Sequence, residues 1–388
     1  MLKKIQYLTA GESHGKGLLG IINGIPANIE IDENYIRNQL ARRQKGHGRG
    51  KRMKIEKDYA EIYSGVRLGH TIGAPIGLII NNADYKNWVK KMSITSTDEL
   101  IKKITLPRPG HADLAGVEKF GFSDIRNVIE RSSARETAMR VAIGSVCRKL
   151  LEDINIYVGS RVIQIHDVID ETEVDFSEGA QAISNIADQS EVRCISNETS
   201  VKMKNRIDEA KASGDSVGGR FEVFATGVPI GLGSYSQWFD RLQSKISESI
   251  MSINAIKGIE FSSAFENVYE FGSKIHDEIG WDGKKYIRHS NNAGGIEGGI
   301  SNSEPILFQA AMKPIPTLIK PLKSVDIITK EEKLAHKERT DSCAVPAASV
   351  IAESMLCIVL ADSILEKFGG DSLEELKRHM TSSKSGDE

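Results

Sequence analysis

No Pro/Ser-rich linker and no abrupt change of composition divides the 388 residues of this chain, so its helices and strands have to share one large α/β body. A single domain over residues 1–380 is expected, followed by a Ser/Lys/Gly/Asp/Glu tail at 381–388 too polar to order itself. Hydrophobic residues make up 40% and charged residues 27%, ordinary proportions for a soluble globular protein. The formal net charge of −2 argues against a dedicated nucleic-acid binder, so basic clusters must act locally. Residues 1–9 carry lysines but no sustained apolar core, so no secretory signal is expected, and no segment is expected to span a membrane. Cys147, Cys194, Cys343 and Cys357 form no CxxC pair, which points to a reducing cytoplasm and no structural zinc.

Short apolar runs at 5–9 and 18–23 read as two strands joined by the tight Gly-rich turn Gly11-Glu12-Ser13-His14-Gly15-Lys16-Gly17. Asp32 caps a helix through Gln44, and further strands are expected at 60–66 and 75–81. Residues 85–105 read as a polar surface excursion with a short helix at 98–104. Ser133 stands three residues before Glu136, the capping-box spacing, and Ala138, Val141, Ala142, Val146 and Leu150 recur at helical spacing after it. Strands are expected at 154–165 and 221–226, with a helix ending before Gly214. Leu242, Ile246, Ile250, Ile253 and Ile256 mark a helix that stops at Gly258, and Pro346 opens a largely apolar helix ended by Gly369-Gly370.

Two neighbouring motifs carry the chemistry. In Arg108-Pro109-Gly110-His111-Ala112-Asp113 the histidine sits on a Pro-Gly turn, with little backbone freedom and no bulky neighbour. In Arg131-Ser132-Ser133-Ala134-Arg135-Glu136 a helix start gathers two arginines and two hydroxyls at its positive end, a cradle for phosphate or carboxylate. The loop from Arg43 to Arg52 interleaves glycine with basic residues, so its backbone can fold over a small anion.

Competing readings fail on context. Gly11-Glu12-Ser13-His14-Gly15 fits the G-x-S-x-G nucleophile elbow, but an elbow leads into a helix and this one leads into a strand-like run. Gly11 to Lys16 is one residue short of a P-loop, and Gly17 stands where a hydroxyl is required. The remaining histidines form no HExxH or similar pattern, so no metal ligands are expected.

GESHG, RRQKGHGRGKR, RPGHADLAG, RSSARETAMR, SINAIKG, NAGGIEGGISN, KPIPT and ERTDSCAVPAASVIAE occur in register over nearly the whole chain, and together they resemble the chorismate synthase family. The resemblance implies a β-α-β sandwich, antiparallel sheets around a central helical layer, assembled as a homotetramer. It implies a lyase of the shikimate pathway that makes chorismate and phosphate from 5-enolpyruvylshikimate 3-phosphate by anti-1,4-elimination. Reduced FMN is required without net redox change, lending an electron as the C–O bond breaks. A substrate with two carboxylates and a phosphate carries on the order of three to four negative charges, which guanidinium groups and helix-end amides can hold.

Carried over residue by residue, the resemblance makes His14, beside Ser13, the general acid at the leaving phosphate. His111 then attends the reduced flavin, and Asp341 assists removal of the ring proton. FMN falls to Arg131, Ser132, Ser133, Asn254, Ala255, Gly298, Lys313, Pro314, Ile315, Pro316, Thr317 and Arg339. Arg43 and Arg49 match NADP positions of the family and, with Arg52, Arg108 and Arg135, are candidates for the anionic substrate. NADPH is a possible reductant. No G-x-G-x-x-G fingerprint follows a strand, which leaves an external flavin reductase as the other source of reduced flavin. Thr340 and Ser303 depart from the family, where histidine and glycine are common.

Overall fold

Alternation of buried and outward side chains along β2 (Gly17–Asn23) makes it one strand of a half-covered sheet with β1 (Gln6–Gly11), β3 (Ala60–Ile62) and β4 (Ile76–Asn81). All pairs are antiparallel in the order β1-β2-β4-β3, with Leu8 opposite Ile21 and Ile21 opposite Gly77. The structure, a computed structural model, describes residues 2–50, 57–97, 100–337 and 341–383. Between the strands lies α1 (Glu33–Gln44), started by the Asp32 carboxylate accepting from Tyr35 N at 2.7 Å. The first sheet is followed by α2 (Asp113–Phe120), α3 (Arg126–Ser132) and α4 (Thr137–Glu152).

A second antiparallel sheet has the order β8-β9-β7-β5-β6, from β5 (Tyr157–Ile165), β6 (Val168–Ile169), β7 (Gly219–Thr226), β8 (Ile256–Phe261) and β9 (Ile306–Met312). β5 and β7 are buried almost without interruption because helices cover both faces, α5 (Gly179–Ala187) on one and α8 (Val345–Phe368) on the other. The chain also forms α6 (Asn197–Ser213), α7 (Leu242–Met251) and α9 (Leu373–Ser382). α8 packs on α1, α4, α7 and the second sheet, while α4 also packs on β2 and β4, so two sheets enclose a helical layer. Close approach of α4 and α8 requires Gly144, where a Cβ would stand 2.5 Å from that of Ser354.

Every residue of α8 from Val345 to Leu365 is buried, with Pro346 in its first turn. Its 24 residues, with an 18-residue window of mean hydropathy 1.9, make it long and apolar enough to cross a membrane, contrary to the sequence expectation; here that window is wholly buried as the core helix. Its two buried carboxylates are held internally. Glu353 accepts from Arg42, Arg148, Arg193 and Ser160, and Asp362 accepts the backbone N–H groups of residues 3–5.

Several local expectations need correction. Residues 100–104 carry no helix, Ile104 N instead bonding the Asp124 carboxylate, and 98–99 lie outside the described residues. α7 stops at Met251, because Ala255 turns to φ 67° and Ile256 opens β8; the apolar spacing continued across a helix-to-strand switch. The capping box does not close. Ser133 Oγ accepts from Arg135 N, a 3₁₀ turn precedes α4, and the Glu136 carboxylate pairs with Arg140. At the C-terminus α9 extends through Ser382, so Thr381 and Ser382 are helical, and residues 384–388 lie outside the described residues. Ser303, where the family commonly has glycine, adopts φ 76°.

Candidate active site

A cavity of about 400 Å³ opens where the β1–β2 loop, the end of α1, the α3–α4 junction, the end of β9 and the start of α8 meet. That lies within the roughly 300–1,000 Å³ usual for small-molecule sites. Its lining includes Ser13, His14, Arg43, Arg49, Arg108, His111, Arg135 and Asp341, brought from both sides of the helical layer.

His14 enters from the turn between β1 and β2. Asn82 fixes that turn, its amide donating to the carbonyls of Glu12, Ser13 and Gly15. The buried carboxylate of Glu130 accepts both the His14 backbone N–H at 2.7 Å and ring Nδ1 at 2.9 Å. Burial pushes the Glu130 carboxyl up, but the His14 hydrogen bonds outweigh it and hold it below the usual range. Trp88 stacks on the imidazole, ring centroids 3.9 Å apart and planes 25° apart. The segment read as a surface excursion therefore reaches back into the site.

His111 is built differently. The Asp113 carboxylate takes His111 Nδ1 at 2.7 Å and the Arg108 guanidinium through Nε at 2.8 Å and Nη2 at 2.9 Å. Arg108 Nη1 donates to Thr317 Oγ1 at 3.0 Å. Burial raises the Asp113 carboxyl, yet the bonds from His111 and Arg108 prevail and hold it well below the carboxylate range. Arg108 thus spends its fork on Asp113 and Thr317 while still lining the cavity.

The opposite wall is cationic. Arg43 donates Nε and Nη2 to Thr137 Oγ1, and its Nη1 lies 3.5 Å from Asp58 without a hydrogen bond. Arg135 binds Asn82 Oδ1 through Nε and Asp58 through Nη1. Arg49 pairs with Asp341 at 2.8 Å, and Gly50 N–H holds the other Asp341 oxygen. Burial, followed by the Arg49 and Arg135 charges, outweighs Asp58 and lowers Arg43 to about 10. Arg43, Arg49, Arg108, Arg135 and Lys313 thus face three carboxylates, Asp58, Asp113 and Asp341, and the surplus of positive charge suits a polyanion.

Of the residues the sequence assigns to FMN, Ser132, Ser133, Asn254, Ala255, Lys313, Ile315, Pro316 and Thr317 line the same cavity. Asn254 donates to Ser132 O and keeps its buried Oδ1 without a hydrogen bond, an acceptor available to a bound group. Arg131 is elsewhere, its guanidinium donating to the carbonyls of Thr9 and Gly11, and neither it nor Gly298 nor Pro314 is part of the lining. Arg52, Arg339 and Thr340 lie outside the described residues. Sequence reasoning missed Asp58, Asn82, Trp88, Asp113 and Glu130 as site residues. Only Asp113, inside the Arg108–Asp113 motif, and Glu130, next to Arg131, had a motif that could have signalled them.

A β-α-β sandwich whose cation-rich cavity holds two carboxylate-paired histidines is the frame of a small-molecule enzyme with acid–base groups. The chain belongs to the chorismate synthase family: the family model described as "Chorismate synthase" matches residues 5–365. A protein named chorismate synthase from Aquifex aeolicus (strain VF5) is 53% identical over 384 residues, covering 97% of this chain and 96% of that protein. One of the same name from Bacillus subtilis (strain 168) is 50% identical over 383 residues. A solved structure titled "Crystal Structure of Chorismate Synthase" aligns with a TM-score of 0.81 at 43% identity, over 100% of this chain and 99% of that one. The antiparallel sheets around central helices agree with that fold.

Proposed function

We propose that this enzyme is a lyase that converts 5-enolpyruvylshikimate 3-phosphate into chorismate and phosphate by anti-1,4-elimination, the last common step of the shikimate pathway to the aromatic amino acids. The observation that carries the reading is the cation-rich cavity with a carboxylate-paired histidine on each side, His14 buried and His111 half-buried. Arg43, Arg49 and Arg135 bind the anionic groups of the substrate, where bidentate guanidinium contacts are strongest. His14 donates a proton to the leaving phosphate oxygen as the C–O bond breaks and its electron pair departs with phosphate. Asp341, held by Arg49 and Gly50 N–H, stands on the same cavity to assist removal of the ring proton.

The lining also fits FMN. Lys313 and the Ser133 hydroxyl offer donors, Asn254 Oδ1 and Ser132 Oγ, whose hydrogen goes to Val128 O, offer acceptors, and Pro316 and Thr317 form a wall beside His111. When bound, reduced FMN supplies transient electron density to the breaking C–O bond. His111, fixed by Asp113, is assigned to the flavin ring. A cytoplasmic homotetramer, supplied with reduced flavin by NADPH or by a separate reductase, belongs to the same reading.

The test is an anaerobic assay with chemically reduced FMN and the enolpyruvyl substrate. Chorismate is expected, with turnover falling by roughly two to four orders of magnitude in folded H14A and H111A. Absence of chorismate above background refutes the reading, and near-normal rates in either variant remove that histidine from the mechanism.

A further inference from the structure

Around His14 three side chains close a ring of contacts. Glu130 binds the imidazole at Nδ1, Trp88 lies flat on its face, and Arg126 joins the two holders, 3.2 Å from Glu130 Oε1 and 5.0 Å from the Trp88 ring. Trp88 is half-buried and is itself anchored, its indole N–H donating to the buried Asp84 carboxylate at 3.2 Å. Lys91 lies over the same ring at 5.1 Å.

Each contact removes a different freedom of the imidazole. The carboxylate selects Nδ1 as the inner nitrogen and so leaves Nε2 as the nitrogen that Glu130 does not engage. The indole face sets the ring plane, which a single hydrogen bond leaves free to rotate. The bond from His14 N–H to the same carboxylate ties the backbone, so χ1 and χ2 are measured from a fixed origin. A general acid displaced by an ångström loses much of its effect, so such a holder affects rate rather than binding.

We propose that Glu130 and Trp88, joined by Arg126, are positioning residues that present the Nε2 edge of His14 to the substrate. The inference rests on His14 acting on substrate as described above. Neither residue touches the reacting atoms, so each acts only through His14.

The decisive measurement is a double-mutant cycle on kcat under anaerobic assay with reduced FMN. E130A is expected to lower kcat by roughly 10–1,000-fold, with KM within about threefold, yet to cost less than about threefold when H14A is already present. W88A is expected to lower kcat about tenfold or more, and W88F, which restores a flat ring, to recover most of it. E130Q, which keeps an acceptor for Nδ1–H, guards against a variant that fails to fold. Equal losses from E130A with and without His14, or a shift confined to KM, overturn the proposal. Indole emission gives a second readout that needs no turnover. In a W238F/W281F background, where only Trp88 remains, H14A and E130A are expected to raise emission by releasing the stacked imidazole. Unchanged emission in both rejects the clamp. If wild-type protein makes no chorismate, the assigned reaction falls, and the emission result still decides the clamp.

Discussion

Arg42 and Arg43 are neighbours in α1, and the chain puts them to opposite uses. Arg42 turns into the helical layer, where it pairs bidentately with Glu353 at 2.7 and 2.9 Å and with Asp188 at 2.6 Å. Arg43 turns to the cavity, where Asp58 is shared with Arg135 and Nη1 keeps no hydrogen bond. Titration follows the geometry. Burial lowers both, but Glu353 more than compensates and raises Arg42, whereas the neighbouring arginines leave Arg43 lowered to about 10. Arg42 has every guanidinium nitrogen bonded within the fold, whereas Arg43 keeps one without a hydrogen bond on the cavity, where an anion from outside can meet it.

Removing Glu353 breaks the closed side and carries the largest expected effect. In E353Q the guanidinium groups of Arg42, Arg148 and Arg193 lose their common counter-ion, and stability in urea is expected to fall by about 3–5 kcal/mol. The pH dependence has a fixed sign. Burial opposes ionisation of Glu353, but the three arginines prevail and hold it at about 2, below its unfolded value. Its contribution is therefore complete above the ordinary glutamate range and lost as pH falls from there toward 2. The wild-type protein should lose stability over that window more steeply than E353Q. A variant as stable as wild type at neutral pH breaks the comparison.

R43M addresses the open side. It removes a charged donor from the anion site while Arg135 still pairs with Asp58, so the loss should fall on ligand rather than fold. KM for the phosphate-bearing substrate is expected to rise roughly 10–100-fold, in line with about 1.5–3 kcal/mol for a charged hydrogen bond. The urea midpoint should move far less than in E353Q. A large loss of stability with unchanged KM would place Arg43 with Arg42.

The two arginines also mark where the sequence was legible. Cap residues and periodicity located α1 from Asp32 to Gln44 and α8 from Pro346 to the Gly369 stop, because local hydrogen bonds and burial act there in the same direction. The same spacing ran past the true end of α7, since Ile253 and Ile256 are buried in a turn and a strand as they would be in a helix. Motifs brought His14, His111, Arg43, Arg49, Arg135 and Asp341 to one cavity. What they could not show is which side chain answers each charge. Asp58 lies far along the chain from Arg135, Trp88 sits in a segment with no periodicity, and Glu353 is embedded in an apolar helix. Pairing across the core is a tertiary fact with no local signature.

Arg131 gives the smallest expected effect and the sharpest test of motif against geometry. Resemblance assigns it to FMN with Ser132 and Ser133, yet its guanidinium is exposed and donates to Thr9 O at 2.9 Å and Gly11 O at 3.2 Å, tying α3 to the strand that ends before His14. A tie of this kind contributes about 0.5–1.5 kcal/mol. R131A is therefore expected to lower stability by about 1 kcal/mol while leaving FMN affinity, followed by flavin fluorescence, within about threefold of wild type. A tenfold or greater loss of FMN affinity with unchanged stability would assign the arginine to the cofactor, and the anion cradle of the α3–α4 junction would then include a group that faces away from the cavity here.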